Sequence, residues 1–182
     1  MWWFSRILGL LVLFAAIPGC GFQPIYAERA GDAVLTRLAA TEVSPMQGRL
    51  GVEMYNHLRD GLSPGGKLVS PTYQLQLGFQ TNRVALITAP DSQVRRFNLV
   101  VAATYKLFEI ESGRLLNSGA AHVVTSYNVI KTNNFGTAIA EQDAQLRSIR
   151  QISQQIVWTL TVFFKQLLSD TTINYENRRT TS

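Results

Sequence analysis

Residues Pro71 to Thr81 read PTYQLQLGFQT, and the period of this stretch decides the fold. Tyr73, Leu75, Leu77 and Phe79 fall on one side, and Thr72, Gln74, Gln76 and Gln80 on the other. Strict alternation of this kind is the mark of a strand with one face buried. Val94 to Glu109 repeats it, with Phe97, Leu99, Val101, Ala103, Tyr105 and Leu107 set against Arg96, Asn98, Thr104 and Lys106. Glu111-Ser112-Gly113-Arg114 then reads as a hairpin turn, and Leu115 to Val129 as the returning strand.

On either side of these strands the period changes. Ser44-Pro45-Met46-Gln47 carries the residues of a helix start: Ser44 to cap, Pro45 for the first helical position and Gln47 for a capping box. Met46, Leu50, Met54, Leu58 and Leu62 follow on one helical face, and the helix is expected to end near Gly61 to Gly66. Upstream, Gly21 to Asp32 reads as an extended lead and Val34 to Val43 as a first strand. Downstream, Phe135, Ile139, Leu146, Ile149, Ile156, Leu160, Phe164 and Leu167 form the apolar stripe of one long helix over about Asn134 to Leu168. The order β-α-β-β-β-α predicts an α+β fold, with a four-stranded, mostly antiparallel sheet and two helices on one face. Residues 20–168 form the single domain in this reading, and the polar residues 169–182 a disordered tail.

Two features are unusual for a freely solvated domain. The outward sheet face is polar but almost uncharged, rich in Gln, Asn and Thr, whereas solvated sheets tend to carry Lys and Glu. Trp158 and Val162 also project to the polar side of the last helix. They are candidates for contact with a protein partner, set against ordinary surface variation.

The net charge of the 182 residues is +5, and the densest basic runs are only the pairs Arg95-Arg96 and Arg178-Arg179, the second in the polar tail. That distribution gives no stripe for nucleic acid. The lone cysteine excludes an internal disulfide framework and a multi-cysteine metal site.

That cysteine, Cys20, follows Ile7 to Ile17 (ILGLLVLFAAI), an eleven-residue apolar run behind the positive Arg6. A membrane span needs about 20 residues, so the run suits the apolar core of a secretory signal over residues 1–19. Ile17-Pro18-Gly19-Cys20 fits a bacterial lipobox: an aliphatic residue, a variable one, a small one, then the cysteine that takes a diacylglycerol. The alternative is a structural thiol beside an ordinary cleavage site. Several acyl chains at about 0.8 kcal/mol per buried CH₂ would anchor the protein firmly. Gly21, rather than an Asp, follows the cysteine, which favours sorting to the outer membrane.

Catalytic motifs are scarce. Gly61-Leu62-Ser63-Pro64-Gly65 spells a nucleophile elbow, but Pro64 lacks the N–H that the oxyanion hole needs, and the segment follows a helix instead of a strand. His57 and His122 have no Cys, Asp or Glu at ligand spacing. Glu141 and Asp143, near the start of the last helix, complement its dipole. No enzyme, metal or cofactor is expected.

Two runs resemble a known family. Cys20-Gly21-Phe22-Gln23-Pro24-Ile25-Tyr26 is similar to the CGFxPLY start of the LPS-assembly lipoproteins, the LptE family. Ser126-Tyr127-Asn128, then Phe135-Gly136-Thr137 and Ala140-Glu141-Gln142-Asp143-Ala144, resemble the SYN…FAT…AEQDA run of its alphaproteobacterial members, with Gly136 in place of Ala. The resemblance implies a non-enzymatic outer-membrane lipoprotein on the periplasmic side. It would plug a large LPS-assembly β-barrel, help that barrel fold and bind lipopolysaccharide on its way to the cell surface. An LPS binder needs cations for phosphate; Arg83, Arg95, Arg96 and Lys131, at strand ends or loops, are the candidates. Two other readings stay open: an auxiliary lipoprotein of a lipid-transporting ABC system, and a small lipoprotein enzyme. The Cys20→Ala variant is expected to lose acylation and its membrane fraction. An unlipidated variant that stayed membrane-bound at normal yield would remove the anchor.

Overall fold

A computed structural model describes residues 29–66, 70–86, 94–130 and 133–180. The signal segment, Cys20 and Lys131 lie outside the described residues. The elements are α1 (Arg29–Ala39), β1 (Thr41–Val43), α2 (Gly48–Leu62), β2 (Tyr73–Ala85), β3 (Val94–Glu109), β4 (Leu115–Ile130) and α3 (Asn134–Thr180).

The alternating stretches pair as their period requires. The sheet order is β1-β2-β3-β4. β2 and β3 are antiparallel with Tyr73 opposite Glu109 and Ala85 opposite Phe97. β3 and β4 are antiparallel with Phe97 opposite Tyr127. β1 joins β2 in parallel through Thr41 to Val43, so the sheet is mixed, with antiparallel pairing over its three long strands. Side chains alternate between faces, and β3 shows it plainly: Val101, Ala103, Tyr105 and Leu107 are buried, while Ala102, Thr104 and Lys106 are exposed. The hairpin forms where expected. Gly113 adopts φ +67, a value that only glycine reaches without strain. Its N–H donates to the Glu109 carbonyl at 2.9 Å.

The apolar face is covered by three helices, one more than the sequence pattern suggested. The stretch read as a first strand from Val34 is mostly α1; only Thr41 to Val43 is strand. Val34 and Leu38, four apart, are the buried residues of α1, and that spacing lies on one helical face but also passes as alternation. Both periods fit five residues, and packing decides between them. α1 leads directly into the sheet, where the Tyr73 N–H donates to the Ala40 carbonyl at 3.1 Å.

α2 begins later than its capping residues implied. The Ser44 N–H donates to the Leu75 carbonyl at 2.9 Å, which prolongs the parallel ladder. Ser44 is therefore held by the sheet. The helix starts at Gly48 behind Gln47, whose side chain makes no capping bond. After α2, Ser63 to Gly66 form a turn in which the Gly65 and Gly66 N–H groups donate to the Ser63 carbonyl.

α3 is 47 residues long, about 70 Å. It continues to Thr180, past the Leu168 expected as its end, so the segment read as a disordered tail is helical in backbone to that point. Physically, no Gly or Pro interrupts the sequence after Gly136. Ile149, Ile152, Ile156, Leu160 and Phe164 are fully buried against the sheet and α2. Phe135 and Ile139, assigned to the same stripe, are exposed instead, 78% and 51%. They precede Ala144, the first fully buried position on the helix.

Phe164 packs against Tyr73 in a tilted ring pair, with centroids 5.0 Å apart and 51° between planes. Phe164→Ala is expected to cost about 3–5 kcal/mol, and Trp158→Ala less than about 0.5 kcal/mol. Urea unfolding with an unchanged slope checks both.

Candidate ligand end and partner-facing surfaces

The two ends of the sheet differ. At one end lie the first residues of β2, the hairpin and the junction with α1. At the other, the end of β2, the start of β3, the end of β4 and the first turns of α3 come together. Three of the four cationic candidates meet at this second end. Arg83 is opposite Leu99, Arg95 opposite Val129 and Arg96 opposite Asn128. Register places Arg83 and Arg95 on the helix-covered face and Arg96 on the open one. Arg95 and Arg96 are exposed.

Arg83 is not a free charge. Its guanidinium carbon lies 5.0 Å from the Phe97 ring centroid, within cation–π range. Phe97 in turn stacks on Tyr127 at 5.9 Å with 23° between planes. Arg83 Nη1 also donates to Glu141 Oε2 at 3.3 Å. One cation is thus positioned by the neighbouring strand β3 on one side and by the helix above. Tyr127, and after it Glu141, hold Arg83 above the usual arginine range. The Tyr127 hydroxyl is buried and meets no partner with full hydrogen-bond geometry, although Arg83 is close enough to act on it electrostatically. Burial pushes this phenol above the usual 10.0, and Arg83 opposes the rise.

The same end exposes apolar side chains that sequence reasoning missed. Phe135 and Ile139 on α3 and Val84 and Leu86 at the end of β2 are all exposed. The Asn133 Oδ1 accepts from the Gly136 N–H at 2.7 Å and fixes the start of α3. The available signal was position: the helix has to leave β4 before it can fold back onto the sheet, so its first turns overhang.

Trp158 (58% exposed) and Val162 lie at a different place, on the solvent side of α3. Trp158, with His57, Arg150 and Ser153, lines a groove of about 360 Å³ between α2 and α3. His122 is exposed on the open sheet face. Among the described residues, no three of His, Cys, Asp or Glu are grouped to hold a metal ion. No described helix is long and apolar enough to cross a membrane.

The fold presents a cationic, partly apolar sheet end and an open face with few charges. Comparison with known proteins assigns it. The model of the LptE lipopolysaccharide-assembly family matches residues 35–160, and the chain belongs to that family. Its members are lipopolysaccharide-assembly lipoproteins, without catalytic function. An uncharacterised protein of Rickettsia prowazekii is 26% identical over 159 residues, covering 87% of this chain and 98% of the relative. A candidate lipoprotein of Caulobacter crescentus shares the fold with TM-score 0.59 at 21% identity, over 73% of this chain and 96% of that one. A minor lipoprotein of Acinetobacter baumannii has TM-score 0.49 at 18% identity, over 67% and 90%.

The raised Tyr127 phenol gives a signed pH effect. Its contribution to stability is intact below the unfolded value of about 10 and is lost as pH rises through the higher folded value. The wild-type protein is expected to lose stability above pH 10 more steeply than Tyr127→Phe, measured by urea midpoints from pH 8 to 11.5.

Proposed function

We propose that this protein is an outer-membrane lipoprotein, anchored at Cys20 on the periplasmic side. In this reading it lodges within a large LPS-assembly β-barrel, assists folding of that barrel and hands lipopolysaccharide towards the surface. One observation carries the reading: the sheet end opposite the α1 junction gathers Arg83, Arg95 and Arg96 beside exposed Phe135 and Ile139. Lipopolysaccharide presents phosphates and acyl chains together. Phosphate prefers arginine forks, and acyl chains prefer exposed apolar side chains.

The placement suits the tether. Cys20 precedes α1 by nine residues, at most about 30 Å of chain, and α1 enters the sheet at Tyr73. Tyr73 and Ala85 stand at opposite ends of a 13-residue strand, about 40 Å apart. The open sheet face supports the docking part of the proposal. Gln76, Gln80, Thr104, Ser118, Ala120 and Asn128 are exposed there, with Lys106 and Arg96 as its cations. A face of that composition suits a wet protein enclosure.

Binding of lipid A to the purified full-length protein tests the ligand end. Arg95→Glu with Arg96→Glu is expected to weaken it by at least about tenfold, or 1.4 kcal/mol, while the melting temperature holds. Unchanged binding would remove these residues from the site. Purification from solubilised outer membrane tests the partner: a stoichiometric large β-barrel supports the reading, and an inner-membrane ATPase complex in its place overturns it.

A further inference from the structure

β4 is the outer strand of the sheet, and its free edge carries unusual information. The direction of its backbone groups follows from bonds at the strand ends. The Leu86 N–H donates to the Arg96 carbonyl at 2.9 Å, and the Ile110 N–H donates to the Thr72 carbonyl at 2.9 Å. Even-numbered β3 residues therefore face β2. The Glu109 N–H donates to the Arg114 carbonyl at 3.0 Å, so odd-numbered ones face β4. With Phe97 opposite Tyr127 and Val101 opposite Val123, the odd-numbered residues of β4 bond inward. The N–H and C=O groups of Ser118, Ala120, His122, Val124, Ser126 and Asn128 point outward.

No described strand pairs with that edge. Sheets guard such edges with Lys, Pro, bulges or short length. β4 is 16 residues long and holds no proline and no charged residue. Its register irregularity lies beside Leu107 and Phe108, at the hairpin end, and leaves the rest regular. The contrast is β2, whose own uncovered stretch beyond β1 carries Arg83.

We infer that the outward edge of β4, from Ser118 to Asn128, takes an extended, uncharged strand of the barrel partner as a fifth strand of this sheet. Alternating donors and acceptors along an edge are satisfied by another polypeptide backbone, and the neutral side chains select a neutral partner strand. A second copy of this chain is disfavoured by the tether. Two β4 edges related by a two-fold axis run antiparallel, so the two Tyr73 ends, and the Cys20 anchors leading to them, would point opposite ways. The inference rests on the proposed barrel partnership and adds the surface and the bonding mode.

The test uses full-length lipidated protein, alone and co-purified with the barrel protein identified by mass spectrometry. In the complex, amide exchange at Ala120, His122, Val124 and Ser126 is expected to slow by at least about tenfold relative to the free protein. Ala120→Pro with Val124→Pro removes two outward N–H groups and leaves the inward ladder intact, as edge prolines do. This variant is expected to keep its fold and lose most of the co-purified barrel. If it fails to fold, Val124→Lys with the exchange measurement serves instead. A complex whose outward amides exchange as fast as in the free protein overturns the inference and leaves the barrel reading standing. Protection of these amides in a dimer of the isolated protein overturns it in favour of self-pairing. Absence of any barrel from the purified material removes both.

Discussion

The structure depends on one constraint: a long, twisted sheet with a single apolar face has to be sealed along its whole length. Ile149, Ile152, Ile156, Leu160 and Phe164 do most of this, spaced three or four residues apart on α3 and fully buried. A helix spaced in that way lies along the strands and covers β3 and β4 together. α2 then runs beside it, close enough that a Cβ added at Gly61 would meet Val157 at 2.9 Å. Apolar burial on this scale is non-directional and far larger than any one polar contact here. The other sheet face is thereby left open.

Two consequences follow for function. The open face has no helix to satisfy, so its composition is free to suit something outside the chain, and it is mostly uncharged, with Arg96 and Lys106 as its cations. The seal also ends before the sheet does. α3 reaches full burial only at Ala144, and the preceding turns stand over the ends of the strands. Arg83, Phe97, Tyr127 and Glu141, from four different elements, converge there. The exposed ion pairs elsewhere, such as Arg59 with Asp60 and Arg147 with Asp143, lie on solvated surfaces, where pairs of this kind contribute little.

Family membership places the chain among the lipopolysaccharide-assembly lipoproteins. The nucleophile-elbow text at Ser63 is a turn after a helix, and both histidines sit apart from any grouped set of metal ligands among the described residues. The features that look purposeful are at the surface: a cationic rim, an uncovered face and an unguarded edge.

The sequence by itself determined the three long strands, the hairpin at Gly113 and the two longer helices, because alternation over ten or more residues and a sustained helical stripe each admit one reading. It also set the α+β class and the family resemblance. Tertiary structure decided what short or ambiguous segments do. Val34 to Leu38 fits both periods, and packing beside α3 made it helix. Ser44 carries a capping side chain, yet its backbone was claimed by Leu75 across the sheet. Phe135 and Ile139 satisfy the apolar stripe but overhang the seal, since a pattern records which way a side chain faces and not whether anything lies opposite. Arg83 joins Phe97, Tyr127 and Glu141 only through strand register and helix placement. Contacts between residues so distant in the chain belong to the folded geometry alone.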